Sequence, residues 1–339
     1  MHFRDTIRFL SKLSFEKVAN MLGLMISFYL SKWTRVRSHS FFPMTISIEP
    51  TTACNLRCPE CPSGLRSFTR PTGNLKKDFF RQVIGEVKDK LIYLIFYFQG
   101  EPYINPDFLK MVKHASDQGI YTITSTNGHF LSDDIAKKTI ESGLDRLIIS
   151  IDGTSQDTYQ QYRRGGSLDN VLAGAKNMVK WKKKLKSHSP HIIFQFLVVR
   201  PNEHQIDEVK ELAKEIGVDE VKFKSAQIYD YKKGNPLIPQ NQKYSRYKKK
   251  ADGSYELKHE LNNACWKMWH SAVITWDGKV VPCCFDKDAD HLMGTITEEV
   301  SLKSILQDEN YSEFKNAVFS DRSSVDICQN CTEGCQVWH

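Results

Sequence analysis

The chain has 339 residues, 40% hydrophobic and 26% charged, an ordinary globular balance with length enough for one large core or two smaller ones. Its formal charge of +7 is compatible with an acidic partner, but the lysine runs at 182–184 and 248–250 lack regularly spaced aromatics. There is no zinc-finger or RNA-recognition signature, so no nucleic-acid partner is expected. Nine cysteines fall into two groups, three near residue 58 and six from residue 265 onward, in spacings that suit metal better than the disulfides of a small secreted protein and imply the cytoplasm.

In chain order, residues 18–30 come first, mostly apolar between Lys17 and Lys32. The run is shorter than the ~20 apolar residues that a spanning helix needs. No small-residue cleavage site follows cleanly, which argues against a signal peptide. Two readings of residues 1–44 stay open. One is a helix packed on the protein; the other is an in-plane anchor using Phe28, Tyr29, Trp33 and nearby basic residues, a peripheral contact at the inner membrane face.

From residue 45, strand-like runs at 45–49, 91–98, 121–125, 146–151, 191–199 and 221–225 alternate with helical patterns at 76–90, 106–118, 132–142, 168–184 and 203–216. Gly119, Gly143 and Gly217 stand where C-terminal helix caps belong. The alternation predicts an α/β fold with parallel strands and right-handed crossovers, short of the eight repeats of a closed barrel. Residues 227–264 are polar, contain Pro236, Pro239 and Gly253, and read as a linker. In 265–339, strands at 273–276 and 279–282 flank Asp277-Gly278, a hairpin signal, and 301–318 reads as a helix.

The most informative stretch follows the first strand: Thr-Thr-Ala-Cys-Asn-Leu-Arg-Cys-Pro-Glu-Cys-Pro, with Cys54, Cys58 and Cys61. Three thiolates on one loop can hold three irons of a cubane cluster and leave the fourth open. With a fourth ligand they would also suit zinc. Gly100-Glu101-Pro102 follows the second strand, Ser125-Thr126-Asn127-Gly128 the third, and Ser150-Ile151-Asp152-Gly153 the fourth, with Arg163 beyond it. On these residues the chain resembles the radical S-adenosylmethionine (SAM) superfamily over about residues 45–226. The resemblance implies a partial (β/α)6 TIM-like barrel with a 4Fe-4S cluster on Cys54, Cys58 and Cys61. It implies SAM contacts from Gly100, Glu101, Pro102, Ser125, Asn127, Ser150 and Arg163. Glu101 would meet the amino group, and Ser150 and Arg163 the ribose or carboxylate, a natural partner for a guanidinium. Gln99 stands where relatives commonly have glycine. The implied chemistry is reductive cleavage of SAM to a 5′-deoxyadenosyl radical, fed by an external electron donor such as flavodoxin or ferredoxin, followed by hydrogen abstraction from substrate.

The later cysteines resemble the C-terminal SPASM region or its shortened form, twitch, a small cysteine-rich α+β cluster-binding domain. Cys265, Cys283, Cys328 and Cys331 match its pattern and imply one auxiliary 4Fe-4S cluster, an electron acceptor. Cys284 and Cys335 are then spare, with Cys335 an alternative to one of the four ligands or part of a second, partial cluster, and four thiolates also make a structural zinc site. The chain divides at 1–44, 45–226, 227–264 and 265–339. The resemblance implies a dehydrogenase acting on a small hydroxylated, sugar- or cyclitol-like molecule. The alternatives are a maturase acting on a peptide substrate and a non-catalytic metal-bound scaffold. No catalytic base is singled out.

Overall fold

The computed structural model describes residues 3–34, 40–259 and 261–331. Helices α1 (Phe3–Leu10) and α2 (Phe15–Thr34) precede strand β1 (Thr45–Ile48), and a short α3 (Pro62–Leu65) and α4 (Lys77–Val87) follow it. Then come β2 (Tyr93–Ile95), α5 (Phe108–Asp117), β3 (Tyr121–Thr126), α6 (Asp133–Glu141), β4 (Arg146–Ser150), α7 (Gln156–Tyr162), α8 (Leu168–Lys184), β5 (His191–Val198), α9 (Ile206–Ile216) and β6 (Glu220–Ser225). Strands β1 to β6 lie parallel in chain order, as the alternation predicts, in the partial (β/α)6 barrel that the resemblance implies. Local chemistry fixes the helix starts. The hydroxyls of Ser132, Ser155 and Ser167 accept from Ile135, Thr158 and Asn170 N–H, each satisfying one orphan donor.

The strands alternate with period two, so each sends one row of side chains outward and one inward. Outward rows, among them Leu94, Phe96, Leu147, Ile149, Phe194 and Phe196, pack with Phe80, Val83, Met111, Ala136, Met178 and Val209 of the helices into the main core. The inward rows form three tiers. Tyr93, Tyr121, Arg146, His191 and Glu220 lie at the floor. Ile123, Ile148 and Ile193, with Ile95 against them, fill the middle. Tyr97, Ser125, Ser150, Gln195 and Lys224 surround the mouth, at the C-terminal strand ends.

Helix α1 plugs the floor. Asp5 is buried, accepts from the Tyr121 hydroxyl and pairs with Arg146; Arg8 pairs with Asp145. Phe9 packs on Tyr93 and Tyr121 at 5.6 and 5.5 Å between centroids. Among the described residues no helix is long and apolar enough to cross a membrane.

Beyond β6, residues expected as a linker pack down over the mouth. They carry a hairpin of β7 (Tyr247–Lys249) and β8 (Tyr255–Leu257). Ile228, Tyr231, Ile238 and Tyr247 are buried with Leu56, Cys58 and Tyr162, and the Tyr231 and Tyr247 rings stack at 4.4 Å. Aromatic side chains spaced among the lysines supply this core, which a polar composition hides.

The cysteine-rich end adds α10 (Trp266–His270), β9 (Ser271–Ile274), β10 (Lys279–Val281), β11 (Gly294–Thr295), α11 (Leu302–Gln307) and α12 (Glu309–Asp321). The hairpin at Asp277-Gly278 is present, and β9 also pairs in parallel with β1, Thr45 opposite Ser271. The barrel sheet and the hairpin are thus one nine-stranded sheet. The helix expected at 301–318 breaks at Asp308, whose backbone is extended and whose carboxylate accepts from Asn310 N–H, starting a new helix.

Candidate active site

The loop after β1 is held from beneath. Glu49 is fully buried and takes a bidentate pair from Arg70, with both contacts at 2.6 Å. Cys61 stands immediately before α3, and its N–H reaches Cys58 O at 3.4 Å. Helix α3 lies directly on the loop. A Cβ at Gly64 would stand 2.5 Å from Cys58 N, so glycine lets the helix approach.

Cys54, Cys58 and Cys61 line one cavity of about 310 Å³ at the barrel mouth. Gly100, Glu101, Ser125, Asn127, Ser150 and Arg163 line the same cavity, so residues from distant stretches of the chain converge there. Pro102 does not reach this wall; it is buried at the start of a helical turn, Pro102–Ile104. A larger groove, about 720 Å³, runs along the outside of α5 and α6 and holds none of the predicted site residues.

Glu101 ties the wall together. Its carboxylate accepts from Asn127 N–H at 2.7 Å, Thr126 Oγ1 at 2.8 Å and Tyr103 N–H at 3.3 Å. Burial pushes it up to about 7 against the pull of these donors. Gln99 and Ser63 link the same loop to α3. Ser63 Oγ accepts from Gly100 N–H at 2.9 Å and donates to Gln99 Oε1 at 3.4 Å.

Two N–H donors address the sulfurs. Asn127 Nδ2 approaches Cys54 Sγ at 4.0 Å, and Arg163 Nη1 approaches Cys58 Sγ at 3.9 Å. Arg163 is aimed by Asp152, which is fully buried and also accepts from Leu197 N–H at 2.7 Å. Burial pushes the Cys54 thiol up to about 11 and raises Cys58, while Arg163 pulls Cys58 back. Thiolates here therefore need a cationic partner. Among the described residues no three His, Cys, Asp or Glu side chains converge tightly enough to hold a single metal ion. Three thiols on a shared wall, with amide and guanidinium donors to the sulfurs, fit the donor set of a site-open cubane.

The second cysteine group gathers around α10. Cys265 caps that helix, with Met268 N–H at 3.5 Å from its Sγ. Cys283 and Cys328 both interact electrostatically with Cys265. Arg322 faces Cys265, Cys328 and Cys331 and donates to Cys331 Sγ at 3.3 Å. Four thiols drawn from the two ends of the region, with one guanidinium beside them, fit an all-cysteine cluster. Cys284 hydrogen-bonds with Cys283 and also interacts electrostatically with Tyr97, Lys224 and Lys287, all on the first cavity's wall. Cys335 lies outside the described residues.

Sequence reasoning missed Tyr97, Gln195, Lys224 and Lys287 on the cavity wall. The first three are in phase with inward-facing Ile95, Ile193 and Lys222 of their strands, a period-two signal readable once one inward residue is known. Lys287, in a loop after β10, carries no such signal.

The profile of the radical SAM superfamily matches residues 48–216, and that of the SPASM iron–sulfur cluster-binding domain matches residues 265–332. A tungsten-containing aldehyde ferredoxin oxidoreductase cofactor-modifying protein of Pyrococcus furiosus is 27% identical over 269 residues, 70% of this chain and 69% of the relative. BtrN, solved in complex with AdoMet and 2-DOIA, is 16% identical with a TM-score of 0.51 over 86% of this chain and 93% of its own. Streptococcus suis SuiB, solved with precursor peptide SuiA, is 14% identical with a TM-score of 0.60 over 91% of this chain and 74% of its own. At these identities the two structures share the fold.

Proposed function

The chain belongs to the radical SAM superfamily, with a SPASM-type auxiliary iron–sulfur region, and on that premise we propose that it oxidises a small hydroxylated, sugar- or cyclitol-like molecule. One observation carries the oxidative reading. Cys283 interacts electrostatically with Cys265 of the auxiliary group and hydrogen-bonds with the adjacent Cys284, which in turn lies within electrostatic reach of Tyr97, Lys224 and Lys287 on the first cavity's wall, so the two cysteine groups are near neighbours. A cluster held by Cys54, Cys58 and Cys61 would supply, with SAM, the radical chemistry for hydrogen abstraction from substrate, and an auxiliary cluster would supply a sink for the second electron.

In this reading Cys54, Cys58 and Cys61 hold the first cluster, and Asn127 and Arg163 offset charge on its sulfurs. Glu101 takes the ammonium of SAM; Gly100 permits the close turn; Ser125 and Ser150 offer hydroxyls to its polar groups. Asp152 positions Arg163. Cys265, Cys283, Cys328 and Cys331 hold the auxiliary cluster, and Arg322 offsets its charge. The electron donor is an external flavodoxin or ferredoxin.

The test uses anaerobically reconstituted enzyme, dithionite and SAM with carbon-deuterated polyols and sugars. Deuterium in 5′-deoxyadenosine is expected, together with a substrate-derived ketone or aldehyde. Cys58→Ala should abolish 5′-deoxyadenosine formation. Transfer only from a peptide would assign the chain to peptide maturation, and no SAM cleavage at all would leave a scaffold role.

A further inference from the structure

Two lysines line the cavity beside the cysteine loop. Lys224 is the last inward-facing residue of β6, and Lys287 reaches in from the loop after β10. They lie within electrostatic reach of each other and of Arg246, and Lys224 also of Lys267. Facing them are Glu60 and the Cys61 and Cys284 thiols. Lys287 Nζ donates to neutral oxygens, Tyr229 Oη at 2.6 Å and Gln227 Oε1 at 3.3 Å. Of the two fully buried carboxylates nearby, Glu101 accepts from Thr126 and Asn127, and Asp152 pairs with Arg163 and lies within electrostatic reach of Lys224. Burial, then the neighbouring cations, push Lys224 down to about 8. Cations crowded into a poorly solvated wall cost free energy that an anionic ligand would relieve.

We propose that Lys224 and Lys287 form an anion subsite that holds a phosphate or carboxylate of the substrate between the barrel mouth and the auxiliary region. The proposal rests on the reading of this cavity as the SAM-dependent reaction site. SAM-loaded, reconstituted enzyme is titrated calorimetrically with inorganic phosphate and, separately, with acetate. Saturable binding of one anion per chain is expected, weakened about tenfold or more by Lys224→Gln or Lys287→Gln and kept by Lys287→Arg. Preference for phosphate or for acetate assigns a phosphate ester or a carboxylate to the substrate. Equal binding in wild type and both Gln variants, or no saturable binding, overturns the subsite. So does phosphate binding that SAM displaces, because the lysines would then hold the carboxylate of SAM itself. 5′-Deoxyadenosine formation, measured on the same samples, reports separately on the radical reaction.

A second, independent observation concerns α2, which is apolar on two opposite sides. Leu24 and Phe28 face the protein, where Phe28 packs on Trp266 and Trp269 at 5.2 and 5.9 Å. On the other side Phe15, Leu22, Ile26, Tyr29 and Trp33 recur at helical spacing and stay 84, 49, 60, 57 and 86% exposed. Phe3, Ile7 and Leu10 of α1 are also exposed. Lys32 stands in the last turn of the helix, and Arg35 and Arg37 follow it in the sequence; Arg8, Lys12 and Lys17 are instead bonded into the protein.

We infer that α1 and α2 dock in the plane of an anionic bilayer surface, the outer stripe in the acyl boundary and the basic end toward the headgroups. Co-sedimentation uses the holoenzyme with vesicles of phosphatidylcholine plus phosphatidylglycerol, and of phosphatidylcholine alone. Binding to the mixed vesicles is expected, falling about tenfold or more in the Ile26→Asn, Trp33→Ser double variant. Equal binding by the variant overturns the inference. A dimer that the double variant dissociates also overturns it, because a second copy would then cover the stripe.

Discussion

Glu101 gathers three hydrogen-bond donors of the cavity wall on one buried carboxyl group. Its folded value, about 7, lies above the ordinary 4.5 because of burial. The folded chain therefore holds a proton that the unfolded chain has released between those values. That contribution to stability is present in full below 4.5 and is lost as pH rises through about 7. On the proposed reading, in which Glu101 takes the SAM ammonium as a carboxylate, SAM affinity should fall as pH drops below 7, and Glu101→Gln should flatten the profile. Equilibrium SAM binding on either side of neutrality checks both. Gly100 sets the turn that delivers this group. It has φ +74°, and a Cβ there would stand 2.2 Å from Thr51 O and 2.8 Å from Ala53 O. Gly100→Ala should cost at least about 2 kcal/mol, read by denaturant melts, since neither backbone oxygen can yield cheaply.

At the scale of the element, α1 contributes more than its length suggests. Asp5 is the buried acceptor for Arg146 and Tyr121 at the barrel floor. Asp5→Ala would leave Arg146 enclosed without that partner and should destabilise the chain by about 3 kcal/mol; a melt unchanged from wild type would contradict the plug. The strands, the barrel helices and the hairpin were legible because each rests on local periodicity, cap residues or turn chemistry. The role of α1 was not, since a short amphipathic stretch does not reveal which layer of the sheet it meets. The same holds for the break at Asp308, where an acidic side chain serves the next helix instead of continuing the first. In the site, the three cysteines, Glu101 and Arg163 were legible from motifs. Asp152 as the residue that aims Arg163 depends on how α7 folds back over eleven residues, and Lys287 on the wall depends on contacts between segments far apart in sequence.

At the scale of the whole molecule, the cluster-binding end is not a separate bead on a linker. β9 lies against β1 in one sheet, and residues 227–259 cover the mouth between the two cysteine groups. β10, which leads into Cys283 and Cys284, lies in the same sheet as β1, with β9 between them. On the proposed oxidative reading, loss of one auxiliary ligand should uncouple the reaction: Cys331→Ala should lose oxidised product, and full turnover would remove the acceptor role. The most direct test of two clusters in one fold is the iron and zinc content per chain after anaerobic purification and reconstitution. About eight irons, two tetranuclear clusters, without zinc are expected. About four irons with one zinc would contradict the account, making the C-terminal cysteines a structural site and leaving the oxidation without its electron sink.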